Sequence, residues 1–155
     1  MSTARRVEQA NWAHPVRSVW VAALLREIEA ATKPVILVGH SVGVLTIAHA
    51  ARDWQVEKIA GAFLVGPSDW ERPEMESEFP GHGFAPVPAE KLGCPAIVLA
   101  SRNDPACDLP TAERWAHNWG TRFADVGAVG HFDVADGFGP WPEGLLAFAQ
   151  FTKSL

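Results

Sequence analysis

Apolar and polar positions follow two rhythms along this chain. Val16, Val19, Trp20, Ala23, Leu24, Ile28 and Ala31 recur at steps of three and four, which puts them on one face of a helix. His14-Pro15 stands at the start of that stretch, where a proline's missing N–H costs little, and Lys33-Pro34 ends it. Residues 35–38 (VILV) then form an unbroken aliphatic run, the mark of a strand buried on both faces of a parallel sheet. Residues 42–52 read as a helix. The alternation repeats with a buried strand at 59–65 (IAGAFLV) and a polar, Pro- and Gly-rich stretch from 66 to about 91. After it come a strand at 96–100 (AIVLA), a helix at 111–119, a weaker strand at 122–126 and a closing helix at 143–152. Residues 5–9 (RRVEQ) are a further short candidate strand. Strands alternating with helices predict an α/β domain with a mostly parallel sheet and helices on both faces. In such sheets ligands lie beyond the carboxyl ends of the strands.

Composition narrows the picture. The 155 residues fit a single domain, 1–155, with 48% apolar residues and a net charge of −5. That balance excludes disorder as the dominant state. The 13 Lys and Arg are scattered, so neither nucleic acid nor an anionic membrane is an expected partner. No apolar run approaches the ~20 residues of a membrane span, and residues 1–10 lack the apolar stretch of a secretory signal. Cys94 and Cys107 give no disulfide framework, so a reducing, cytoplasmic setting is expected. Cys107, near a polar loop, is expected to be the more exposed of the two. His14, His49, His82 and His117 lack metal-ligand pairing, so no metal site is expected. Most tryptophans read as core: Trp20 lies on the helical stripe, and Trp115 and Trp119 are one helical turn apart.

One motif carries chemistry. Gly39-His40-Ser41-Val42-Gly43 matches G-x-S-x-G directly after a buried strand and directly before a helix. In that context a serine sits on a strained strand-to-helix turn, the glycines relieve crowding, and the hydroxyl projects above the sheet beside a helix N-terminus. The pattern matches no phosphate-binding loop, GxGxxG or GxxxxGK[ST]. A serine hydroxyl needs a base, and the base an orienting carboxylate. The chain order for this fold is Ser, acid, His. Asp104 lies just beyond strand 96–100, in SRNDP, and His131 beyond strand 122–126, in GHF. Asp108 is the rival acid; Asp125, Asp133 and Asp136 lie outside that loop. His40 reads as a packing or hydrogen-bonding neighbour of the elbow rather than as the base. The Val42 N–H is the expected oxyanion donor. The stretch 66–91, with Trp70, Phe79 and Phe84, reads either as a partial cover over Ser41, in which Trp70 and Phe84 contact the acyl group, or as a plain surface excursion with one short helix.

These residues resemble the small α/β-hydrolase family of YdeN-like and retinoblastoma-binding serine hydrolases. The matching pieces are Gln9-Ala10-Asn11-Trp12 with Pro15 and Trp20, then VILVGHSVG, then SRNDP with Cys107 following, then GHFDVADGFGPWPEG. In the last piece Gly137, Gly139, Trp141, Pro142 and Gly144 are the most specific. The likeness runs over about residues 5 to 153. It implies an α/β-hydrolase fold, Ser41 as nucleophile, Asp104 as acid, His131 as base, no cofactor, and hydrolysis of a small ester or amide. The family also begins with a further central strand whose loop supplies a second oxyanion N–H, and nothing before residue 5 matches it. The expectation is therefore a shortened sheet with an unpaired edge at 35–38, self-association through that edge, and reduced activity. The alternative reading is a catalytically impaired module that keeps the fold and binds a protein or ligand.

Overall fold

The computed structural model describes residues 4–155. The order of elements is α1 (Arg17–Ala30), β1 (Val35–Ser41), α2 (Val42–Ala50), β2 (Ile59–Pro67), α3 (Pro73–Glu78), β3 (Ala96–Ala100), α4 (Leu109–Trp119), β4 (Arg122–Asp125) and α5 (Pro142–Lys153). The four strands form one sheet in the order β1-β2-β3-β4, every neighbouring pair parallel. This is a single-domain α/β fold.

Strand side chains alternate between two apolar layers, as a period of two requires. Leu37, Ala62, Leu64, Ala96 and Val98 join Trp20, Leu24 and Ile28 of α1, Val44, Leu45 and Ile47 of α2, and Trp115 and Trp119 of α4. Phe63, Val65 and Leu99 point the other way, onto Phe148 and Phe151 of α5. Helices α1, α2, α3 and α4 pack on one face, and among the described residues α5 is the one helix that packs on the other. Among the described residues β1 has β2 on one side and no strand on the other. No helix of the described chain is long and apolar enough to cross a membrane.

Several expectations change in detail. Residues 5–9 form no strand. Side-chain contacts hold that segment instead: Arg5 pairs with Glu27 at 3.0 Å, Arg6 lies 4.2 Å from the Trp12 ring centre, and Val7 packs on the main core. Helix α1 begins at Arg17, two residues after Pro15, and the Arg17 N–H donates to the His82 carbonyl (2.8 Å). Helix α4 begins at Leu109, because the Asp108 carboxylate caps it by accepting from the Thr111 N–H at 2.7 Å.

The largest revision concerns 66–91. Trp70 is 5% exposed and Phe84 fully buried, both inside the main core. Trp70 packs on Phe79, His82 and Phe84 at centroid distances of 5.0–5.2 Å. Their rings are consumed by packing against one another, so they offer no surface to an acyl chain. The segment is anchored on the α1 and α2 side, where His49 Nε2–H donates to the Phe84 carbonyl at 2.9 Å.

Candidate active site

The site is built at the carboxyl ends of the strands. Ser41 closes β1 and stands at the residue before α2 without a side-chain capping bond, with φ 57° and ψ −127°, a left-handed conformation that a serine adopts only when its surroundings hold it there. The turn is tight. A Cβ on Gly39 would stand 2.7 Å from the Ile47 side chain and 3.0 Å from the Gly43 carbonyl oxygen, so α2 can fold back onto β1 only over a glycine. Gly43 differs: a Cβ there would meet nothing within 4 Å, so crowding does not explain it.

Asp104 follows β3 and His131 follows β4, and the fold brings both to Ser41. The Ser41 hydroxyl donates to His131 Nε2 at 2.9 Å, and His131 Nδ1–H donates between the two Asp104 carboxylate oxygens at 2.9 Å each. With an acceptor-only carboxylate against Nδ1, that nitrogen carries the proton and Nε2 presents its lone pair to the hydroxyl. The Asp104 side chain is 3% exposed and also accepts from the Ala106 N–H at 2.8 Å. Residues 90 positions apart thus form one chain of hydrogen bonds from a hydroxyl to a buried carboxylate.

Comparison with known proteins gives the chain a family. The serine hydrolase family model matches residues 1–150. The chain belongs to the serine hydrolase family. A YdeN-like hydrolase from Pectobacterium atrosepticum is 37% identical with a TM-score of 0.82, the match covering 96% of this chain and 76% of that one. The ydeN gene product of B. subtilis superposes with a TM-score of 0.72 at 18% identity, covering 94% and 80%. A carboxylesterase from Bacillus cereus does so with 0.58 at 16% identity, covering 97% and 68%. The last two show the α/β-hydrolase fold. Among curated protein sequences, none matches.

In this serine hydrolase the other candidate acids have separate duties. Asp108 caps α4, and Asp125 pairs with Arg102 at 2.7 Å while accepting from the Gly127 N–H. The Asp136 carboxylate accepts from the His131 backbone N–H and lies directly over Gly130, where any Cβ would strike it. Asp133 Oδ1 in turn accepts from the Asp136 N–H at 3.1 Å. Sequence reasoning weighed Asp136 only as an acid and missed it as the anchor of the His131 backbone. It also missed Ser101 and Asn103. Asn103 Oδ1 accepts from the Ser101 hydroxyl and from the Gly130 N–H (2.8 and 2.7 Å), and Ser101 Oγ accepts from the Val129 N–H (2.9 Å). The two residues tie the Asp104 loop to the His131 loop. The available signal was their position in SRND beside the acid.

The cysteines play no part in this network. Cys107 is buried at 4% exposure, deeper than Cys94, the reverse of expectation, because its loop turns inward onto the main core. Burial pushes the Cys107 thiol up to about 12, with Asp69, Asp108 and Asp104 adding to it, and burial pushes Cys94 up to about 11. Both are held as the protonated thiol at neutral pH, the form that is not a nucleophile. A cavity of about 350 Å³ lies under the 126–141 loop, lined by Leu99, Val129, Phe132, Phe138 and Trp141 among others. It touches neither Ser41 nor His131.

Proposed function

We propose that this hydrolase is an esterase- or amidase-type enzyme of the cytoplasm that cleaves a small ester or amide through an acyl-enzyme. The observation that carries the reading is the unbroken chain Ser41 Oγ, His131, Asp104, each link at 2.9 Å. Ser41 Oγ attacks the substrate carbonyl carbon as its proton passes to His131 Nε2, and Asp104 holds the imidazolium that forms. The Val42 N–H, in the first turn of α2, donates to the oxyanion, where the helix N-terminus also favours negative charge. His131 then gives the proton to the leaving alcohol or amine, and water repeats the sequence on the acyl ester to release the acid.

Turnover of p-nitrophenyl acetate and labelling by a fluorophosphonate probe test this reading. Ser41→Ala is expected to abolish both while leaving the circular dichroism and melting curve intact, since loss of a nucleophile leaves only what binding and oxyanion contacts supply. Labelling that persists in Ser41→Ala overturns the assignment. Absence of labelling in the unaltered protein favours a binding module that keeps the fold.

A further inference from the structure

The acyl-enzyme mechanism leaves one histidine beside the site without a task. His40 precedes Ser41 on β1, and its Nε2 stands 2.7 Å from the backbone carbonyl oxygen of His131. The two imidazole rings lie 4.8 Å apart, tilted by 42°. A carbonyl can only accept, so His40 Nε2 carries a hydrogen. The elbow and the His131 loop are therefore joined twice, once through Ser41 Oγ and once through His40.

These two links have different lifetimes in the reaction. When Ser41 Oγ becomes an ester oxygen it has no hydrogen left to donate, and His131 Nε2 loses the partner that aligned it. The His40–His131 link involves neither reacting atom and survives acylation. From this we infer that His40 is a positioning residue for deacylation, holding the His131 backbone, and so its imidazole, in place while Nε2 takes a proton from the attacking water. In that step water's oxygen bonds to the acyl carbon, the ester C–O bond breaks, and the proton on Nε2 passes to Ser41 Oγ as the acid leaves. The inference rests on the acyl-enzyme reading above.

The surroundings of His40 suit the task. His40 remains exposed at the surface, and partial desolvation of its ring moves its titration below the ordinary imidazole value, opposed by the hydrogen bond to the His131 carbonyl. Of the charged groups that face it, His131 lowers it further while Asp104 and Asp133 raise it. A neutral His40 has a single ring hydrogen, which the carbonyl fixes on Nε2. It also adds no positive charge beside the imidazolium of His131.

The test separates attack from deacylation. Fluorophosphonate labelling reports the attack of Ser41 alone. Rapid-quench intact mass during p-nitrophenyl acetate turnover reports the fraction held as acyl-enzyme. His40→Leu is expected to slow deacylation about tenfold, the scale of one lost hydrogen bond in an ordered site, with kcat and KM falling together and acyl-enzyme accumulating. Its labelling rate is expected to stay within about threefold. His40→Gln, whose amide nitrogen reaches the position of Nε2, is expected to restore most of the deacylation rate, and the shorter His40→Asn is not. Equal slowing of labelling and deacylation, or a Gln variant as impaired as Leu, overturns the proposal. No acyl-enzyme and no Ser41 labelling in the unaltered protein overturns the underlying reading and the proposal with it. Normal acylation with indifferent His40 variants overturns the proposal alone.

Discussion

Asp104 and Asp108, four residues apart on one loop, are held for different purposes. The Asp104 carboxylate is almost wholly buried and spends both oxygens on His131 Nδ1, whereas Asp108 spends one on the first turn of α4. Replacing Asp104 by Asn keeps the shape but offers Nδ1 an N–H donor, which turns the imidazole to the tautomer with hydrogen on Nε2. The base then faces Ser41 with a proton instead of a lone pair. Asp104→Asn is expected to lower kcat/KM by roughly 10⁴, the scale of that change in serine proteases. Asp108→Ala is expected to leave kcat/KM within about threefold and cost about 1 kcal/mol of stability through the lost cap. Steady-state kinetics and chemical denaturation of the two variants decide the matter. The reverse pattern moves the acid to Asp108.

Among the elements, α2 does two jobs: its N-terminus receives Ser41, and its C-terminal turn pins segment 66–91 through His49. Burial holds the His49 imidazole below its ordinary value. The Phe84 carbonyl works against that shift, Arg17 and Arg52 with it, and Glu90 against it. Its Nδ1 is buried without a partner, so a protonated ring would bury a second N–H with nothing to receive it. In the unfolded chain the same ring titrates near pH 6.5. Above that value the fold loses nothing through His49. As pH falls below it, the unfolded state binds a proton that the fold refuses, and stability declines until the lower folded value is passed. His49→Gln keeps a donor for Phe84 and removes the titration, so its melting temperature is expected to fall less between about pH 7 and pH 5. An unchanged slope places the acid sensitivity elsewhere. The elements themselves were legible in the sequence: aliphatic runs at 35–38, 59–65 and 96–100 all became strands, and the order Ser41, Asp104, His131 named three side chains that the fold brings together. Facing was less legible. A loop containing Trp70 and Phe84 reads as a cover until packing turns both rings inward, and five residues at 5–9 cannot say whether a sheet partner exists. The anchoring role of Asp136 was invisible because its partner is a backbone N–H.

At the scale of the whole molecule the sheet is covered unevenly. Phe63 of β2 meets Phe148 and Phe151 of α5 at 5.3 and 5.8 Å, so α5 covers that face over the middle strands. Val38 of β1, on the same face as Ile36, is 63% exposed, and no strand among the described residues pairs with the outer edge of β1. An unpaired edge beside an exposed apolar side chain is a template for another strand, and natural sheets commonly guard such an edge with a charge or a proline. Neither guards β1, whose residues read VILVGHS. We expect the protein to self-associate through this edge, seen as a sedimentation coefficient that rises with concentration. Val38→Lys places a charge on the exposed position without touching Ser41, His131 or Asp104. It is expected to shift the population toward monomer while fluorophosphonate labelling of Ser41 proceeds as before. A lysine variant that associates as strongly as the unaltered protein moves the contact away from β1. An unaltered protein that stays monomeric at every concentration overturns the expectation.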